Sequence, residues 1–474
     1  MAVDQKRDVE LVEESPHDDV KIQTTTGSRI DPEAQASLLR KLDYRVMPVF
    51  FIMYFLNHWD RNGLPQARLD DIEEHLGLVG NQYNVCISIL YVGYLLAGIP
   101  SNMLLTRIRP SIYLGVCMCG WAIVSACTSL AHNYHTMLIL RFLLGFLEAP
   151  FYPGAIYILS RFYTRREVAT RLAILYCGQL CSSSFSGLIT AGIFASLSGR
   201  YGLNGWQWLF IIEGTATFGV AVIAIFLLPD NPGTTHWMSD AENACAVIRL
   251  EEDGINELQH ETPLQGFMSA IKDYKVWMFM LMQNMHFSGM SFNQFFPTLV
   301  KTLGYGKITT LLLTAPPYVF SALFSLAFAR SSGYFNERTW HIAGGNALGI
   351  VGFVLACATT GLAPRYAACF LFAAGSYCTG SIILGWAATN TADSHEKKAV
   401  TMAMVNFSAV LANVYTAYLW PTSDGPRYLM GLGSSAGFCA LCIVAAIAGR
   451  IVFQRENAKR LRGANGGEVR LYVI

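Results

Sequence analysis

The feature that most limits what this chain can fold into is an apolar run of about 20 residues, recurring along nearly its whole length between short charged stretches. A hydrocarbon layer about 30 Å thick takes about 20 helical residues, so each run predicts one crossing. The runs fall at 46–66, 83–105, 112–130, 134–159, 172–195 and 208–228, and after a gap at 276–299, 308–329, 342–360, 366–388, 400–419 and 428–451. Charged residues make up only 14% of the 474 positions, against about 25% in soluble chains, and lipid accounts for the deficit. Backbone amides in lipid must be satisfied within their own segment, and the alternation of barrel strands is absent. The expected fold class is therefore an all-α membrane protein of about twelve transmembrane helices in two six-helix halves.

The charged gap predicts five regions: a disordered cytoplasmic tail at 1–43, a first half at 44–228, a cytoplasmic linker with short surface helices at 229–275, a second half at 276–451 and a cytoplasmic tail at 452–474. The first 39 residues are polar and acidic without the apolar core of a cleavable signal, so the first run is expected to direct insertion. Lys and Arg beside the runs set orientation. With both termini cytoplasmic, Arg107, Arg109, Arg161, Arg165, Arg166, Arg171, Arg330, Arg338, Lys397 and Lys398 share that side, while the opposite loops hold scattered cations such as Arg68, Arg200 and Arg365. A multi-pass protein of the plasma membrane is expected. The net charge of +1 and the lack of a basic stripe with interleaved aromatics argue against nucleic acid. The 12 cysteines lie mostly inside apolar runs without metal-ligand spacing, so they read as core residues and no metal or cofactor is expected.

Charge inside the apolar runs is the next signal. A charged side chain at the centre of a membrane helix costs about 2.5–3.5 kcal/mol on insertion scales, so those that persist need a reason. Asp60 and Arg61 lie in the first run, about 21 Å from its start and slightly past mid-membrane. Arg141 and Glu148 lie in the fourth, two helical turns apart on one face, with Gly145 between them where a neighbouring helix can come close. Two acids and two bases can neutralise one another as a buried network that fixes helix packing. They can also do chemistry, one cation holding an anionic substrate while a carboxylate binds and releases a proton. Because Arg141 has Glu148 within reach, Arg61 is the cation expected to meet a ligand, and a single cation predicts a singly charged anion such as a monocarboxylate.

The second half is nearly free of embedded charge, but its first run is polar, with Gln283, Asn284, His286, Ser288, Asn293 and Gln294. Polarity without charge predicts a cavity lining that hydrogen-bonds substrate, with Asn284, His286 and Asn293 as candidates. A hydrogen-bonded packing histidine is the other reading of His286. Trp386 and Asn390 in the tenth run are further substrate-binding candidates, equally readable as packing residues.

Several stretches then carry a resemblance. They are Asp60-Arg61-Asn62, the run Arg141-Phe142-Leu143-Leu144-Gly145-Phe146-Leu147-Glu148-Ala149-Pro150-Phe151-Tyr152-Pro153-Gly154, the following Phe162-Tyr163-Thr164-Arg165-Arg166-Glu167, and Gly205-Trp206-Gln207-Trp208-Leu209-Phe210-Ile211-Ile212-Glu213-Gly214. With them the chain resembles the anion:cation symporter branch of the major facilitator superfamily, and more narrowly the fungal allantoate permease family. The resemblance spans essentially the whole membrane part. It implies the major facilitator fold and proton-coupled uptake of carboxylates such as allantoate, nicotinate, pantothenate or biotin. It also implies Arg61 on the substrate carboxylate, Asp60 and Glu148 as proton-binding groups, and Arg141 as the partner of Glu148. One departure is Ser331-Ser332-Gly333-Tyr334, which lacks the acid and base that relatives usually carry there and implies a weaker charge latch between helices.

The expected function is a secondary active transporter that moves a small organic anion by proton symport, with the anion, a proton and the lipid bilayer as partners. The alternatives are export of an endogenous secondary metabolite and a membrane sensor that does not transport. The fifth run reads Cys181-Ser182-Ser183-Ser184-Phe185-Ser186-Gly187, without the Gly-Pro kink that proton-coupled exporters of this fold often carry, which favours uptake. Enzyme chemistry is not expected, since no metal cluster and no Ser or Cys beside a His base is legible.

Overall fold

The computed structural model describes residues 32–105, 107–233, 235, 237–254, 262–391, 394–463 and 471–474. Twelve helical passages run through them. The first six are Pro32–Ala67, Gln82–Leu105, Pro110–Thr128, Tyr134–Phe162, Arg165–Leu197 and Gly205–Leu227. The seventh is broken into Tyr274–Gly289, Met290–Phe295 and Phe296–Lys301, and the eighth and ninth are Lys307–Tyr334 and Thr339–Ala358. The tenth is broken into Leu362–Tyr377 and Gly380–Asn390, and the last two are His395–Thr416 and Leu429–Gly463. Among the described residues, nine of these spans are long and apolar enough to cross a membrane by composition alone. Of the others, the first carries Asp60 and Arg61 and the seventh is interrupted at Met290–Phe295.

The ends of the helices follow local rules. Asn133 caps the fourth span by accepting from the Thr136 amide, and reciprocal capping boxes start the fifth span at Thr164 with Glu167 and the sixth at Asn204 with Gln207. The fourth span breaks after Glu148 at Ala149-Pro150, where the imino nitrogen has no hydrogen to continue the ladder.

The two halves repeat one packing scheme. The first span packs on the fifth and sixth as the seventh packs on the eleventh and twelfth, and the third packs on the sixth as the ninth packs on the twelfth. The halves meet through the fifth span against the eighth and the second against the eleventh. An even number of crossings puts residue 32 and residues 463 and 471–474 on one face, called here the tail face. On the opposite, far face the halves are bonded together. Arg68 donates to the Thr422 hydroxyl at 3.3 Å, Asn84 to the Ala417 carbonyl at 2.6 Å, and the Lys307 ammonium sits 2.5 Å from Asp70.

Small residues set the closest contacts. A Cβ on Gly145 would lie 1.9 Å from the Leu90 carbonyl oxygen, and one on Gly93 would lie 2.4 Å from that of Phe142, so the second and fourth spans touch backbone to backbone. Gly375 does the same in the second half, 2.3 Å from the Gly349 nitrogen.

The tail-face segments differ from expectation in extent. The first helix begins at Pro32, not after residue 43, because Leu38 and Leu42 are fully buried and continue the apolar stripe through a stretch whose charges lower its average hydropathy. Residues 1–31 of the expected tail lie outside the described residues. In the linker region two helices form, Asp240–Gly254 and Pro263–Lys272. The first is pinned to the first half by Lys41 with Glu242 at 2.7 Å and by Arg249 with Glu167 at 2.6 Å. The stretch after the eighth span, where the resemblance implies a weaker charge latch, does carry an ion pair to another helix. Glu337, further along the same loop, pairs with Arg450 of the twelfth span, and Arg338 donates to Ser332 at 3.0 Å.

Candidate functional site: a central charge cluster lined by tyrosines

Arg61 and Glu148 meet in the middle of the first half, the Arg61 Nε donating to Glu148 Oε2 at 2.6 Å. The Glu148 side chain is fully buried, whereas that of Arg61 is 18% exposed and is therefore the side of the pair open to a ligand. The guanidinium also lies over the Tyr94 ring, 4.9 Å from its centroid. Arg61 thus holds the carboxylate expected to partner Arg141. The reason is distance along one helix: Arg141 and Glu148 are separated by about 10.5 Å of rise, more than their side chains bridge while pointing the same way, and Arg61 reaches Glu148 from the facing span.

Arg141 is 2% exposed, and its guanidinium lies 5.3 Å from the Phe210 ring of the sixth span. Its Nε and Nη2 have no hydrogen-bond acceptor among the described residues. Asp60 points away from Arg61, as adjacent helical residues do, into a polar nest where it accepts from Trp121 Nε1 at 3.1 Å, Ser125 Oγ at 3.0 Å and Thr217 Oγ1 at 3.4 Å.

A fifth charge, Glu213 of the sixth span, joins this cluster and was not among the candidates. It is fully buried, neither oxygen has a hydrogen-bond donor among the described residues, and Asp60 and Arg141 lie within electrostatic range. The first span comes close enough that a Cβ on Gly63 would lie 2.6 Å from Glu213 Oε2. The signal was available: Glu213 is a carboxylate inside the sixth apolar run.

The second-half candidates separate into two groups. Asn293 accepts from the Tyr318 hydroxyl at 3.4 Å and is within hydrogen-bond reach of Tyr377, and its neighbour Gln294 donates across the halves to the Tyr91 hydroxyl. Both belong to the central site. Asn284 is tied to the eleventh span, donating to the Ser408 carbonyl at 2.7 Å and accepting from the Tyr415 hydroxyl at 2.6 Å. His286 is 2% exposed, bonded to Thr379 Oγ1 at 3.0 Å and packed against Gly380, which is the packing reading of that histidine. Trp386 and Asn390 do not face the central cluster: both donate to the Val473 carbonyl at 2.8 Å. Expected as substrate-binding candidates, they serve here as packing residues that hold the Val473 backbone.

What the charge pattern did not signal is the density of tyrosine. Tyr54 stacks on Tyr152 at 5.7 Å and meets His58 edge-on at 4.7 Å, with Tyr94 and Tyr176 within electrostatic range of its hydroxyl or that of Tyr152. From the second half Tyr318 and Tyr377 approach with centroids 5.9 Å apart. The central site is thus one accessible guanidinium walled by aromatic rings, each with a polar tip.

The sequence model of the Major Facilitator Superfamily matches residues 50–417, through all of these elements except the last span. The chain belongs to the Major Facilitator Superfamily. Among relatives of this facilitator is the MFS-type transporter efuF of Hormonema carpetanum, 32% identical over 91% of this chain and 88% of the relative. Another is the major facilitator-type transporter hxnP of Emericella nidulans, 30% identical over 96% of this chain and 92% of the relative. Solved structures share the facilitator fold at low identity. A bacterial homologue of the human lysosomal transporter Spinster, in an inward-facing and unoccupied conformation, superposes with a TM-score of 0.65 at 17% identity, covering 90% of this chain and 98% of that one. A D-xylose–proton symporter gives 0.65 at 12% identity, covering 86% and 97%. The protein is a multi-pass membrane transporter, not an enzyme.

Proposed function

We propose that this facilitator carries a small organic monocarboxylate by proton symport, and that the Arg61–Glu148 ion pair is the coupling element. The observation that carries the reading is the asymmetry of the pair, one partner accessible and the other wholly buried. A substrate carboxylate that takes Arg61 must displace Glu148. An unpaired buried carboxylate costs several kcal/mol, so Glu148 leaves Arg61 at low cost only when it accepts a proton. One proton and one carboxylate then travel together, and the site stays electrically balanced with or without cargo. Asp60 and Glu213, which share the neighbourhood of Arg141, are the further proton-exchanging groups. Asn293 and Gln294 supply hydrogen bonds to the part of the substrate remote from its carboxylate, and the tyrosine walls favour a flat, partly apolar body.

In this reading the protein lies in the plasma membrane, with the tail face in the cytoplasm, where the excess of Lys and Arg falls. The kinship to the allantoate permease family rests on the motifs quoted above. The test is uptake into vesicles under an imposed inward proton gradient, across a panel of small carboxylates. Accumulation that collapses when a protonophore is added supports symport. Failure of every carboxylate to accumulate, with efflux of loaded metabolites under the reversed gradient, selects export instead.

A further inference from the structure

We propose that residues 471–474 form a detachable intramolecular latch, docked in a socket on the tail face, that restrains the tail-side half of the tenth span. The socket reads the backbone of the segment. Asn390 donates to the Val473 carbonyl at 2.8 Å and accepts from the Val473 amide at 3.0 Å, and Trp386 Nε1 donates to the same carbonyl at 2.8 Å. One residue earlier Asn457 repeats the pattern, donating to the Tyr472 carbonyl at 2.9 Å and accepting from its amide at 2.8 Å. The Ile474 carbonyl accepts from the Arg338 amide at 3.1 Å. A side-chain amide that serves both the N–H and the C=O of one residue selects an extended peptide, as a neighbouring strand would.

The side chain of Tyr472 adds a second mode of recognition. Its ring lies 4.0 Å from the Arg460 guanidinium and 4.5 Å from the Lys275 ammonium, and 5.2 Å from the Phe453 ring. Its hydroxyl accepts from Lys275 Nζ at 2.6 Å and from Arg460. The anchors come from the seventh, tenth and twelfth spans and from the entry to the ninth. Trp386 and Asn390 are 0% and 4% exposed, so the socket holds buried donors that the segment satisfies.

The consequence follows from the break in the tenth span. Gly380–Asn390 is a helix of its own, bounded at one end by Cys378-Thr379, where His286 packs, and held at the other by Val473. A docked segment ties that piece to the ninth and twelfth spans, and release frees it to move against them. A partner or modification that captures residues 471–474 would act through this joint. The inference is independent of substrate and of proton coupling.

The test is hydrogen exchange on the purified full-length protein and on a variant lacking residues 471–474. Exchange within 380–390 should rise about tenfold on deletion, as local opening becomes easier. A synthetic acetyl-Leu-Tyr-Val-Ile peptide at millimolar concentration should restore protection to the deletion variant, and should not when Asn390→Leu is added. Unchanged exchange in the deletion variant overturns the proposal, and so does raised exchange that the peptide leaves unaltered, since the segment would then be a fixed part of the fold. If the deletion variant does not fold, Val473→Pro removes the donor to Asn390 and fixes the backbone of 472–473 against the socket, and unchanged exchange at 380–390 in that variant overturns the latch equally.

Discussion

In the proposed cycle the guanidinium of Arg61 serves two partners in turn, the buried carboxylate of Glu148 2.6 Å away and the substrate anion. Removing it leaves both without a partner. Arg61→Ala should lower substrate affinity about 30-fold or more, the loss expected when one member of a buried charge pair is truncated, as read by binding to protein in detergent. Glu148→Gln should retain binding and counterflow while losing accumulation driven by a proton gradient, because the amide still vacates Arg61 but carries no proton. Retained binding in the Arg61 variant would remove that residue from the site. At this scale the sequence exposed which charges are embedded and not whom they meet. Asp60, Arg61, Arg141 and Glu148 stand out because charge in an apolar run is costly wherever it points. Their partners depend on rotation and side-chain reach, so Glu148 was matched to its neighbour on the same helix when the partner lay across the gap.

Helix packing turns on a few positions where no side chain fits. Gly145 abuts the Leu90 carbonyl, which is backbone and cannot yield as a flexible side chain does. Gly145→Val should force the second and fourth spans apart and abolish the monodisperse peak in size-exclusion chromatography, whereas Gly192→Ala, with open space around its Cβ, should leave it unchanged. The helix Asp240–Gly254 is held differently, by charge. Burial pushes the Glu242 carboxyl up, but bonds from Lys41, Ser37 and the Ser239 amide outweigh it and hold the group down at about 2. A depressed carboxyl stabilises the fold above its ordinary value near 4.5 and loses that contribution as pH falls through about 2. Glu242→Gln should therefore lower the thermal midpoint by an amount that is constant from pH 6 to 8 and shrinks below about pH 4, measured by a thiol-reactive dye or by light scattering. A difference that grew on acidification would contradict this account. The helix itself was anticipated only as a short surface element, because its attachment to Lys41 involves a residue about 200 positions away in sequence.

The whole molecule is two similar bundles clasped at the far face. Asp70 holds both sides of that clasp, accepting from the Trp206 amide at 2.8 Å within its own half and from Lys307 of the other at 2.5 Å. Lys307→Ala should weaken far-face closure by about 1 kcal/mol or less, since its ammonium is part exposed. A cysteine placed beside the Arg61–Glu148 pair should then become more reactive to reagents added from the far face. Asp70→Ala should have the larger effect, because it also leaves the buried Trp206 amide at the start of the sixth span without its acceptor.

The number of crossings, the division into two sets of six and the positions of the embedded charges were determined by the sequence alone. Each is a property of one segment: the free energy of placing about 20 residues in lipid is a sum over that segment and needs no neighbour. The tertiary structure decided everything that requires two segments to meet. Glu148 faces Arg61 from 87 positions away, Gln294 reaches Tyr91 across 203, and Asn390 is taken by Val473 across 83. Hydrogen bonds of that kind are set by crossing angle and close approach, which depend on glycines packed against another helix's backbone, and no spacing within a single helix encodes them.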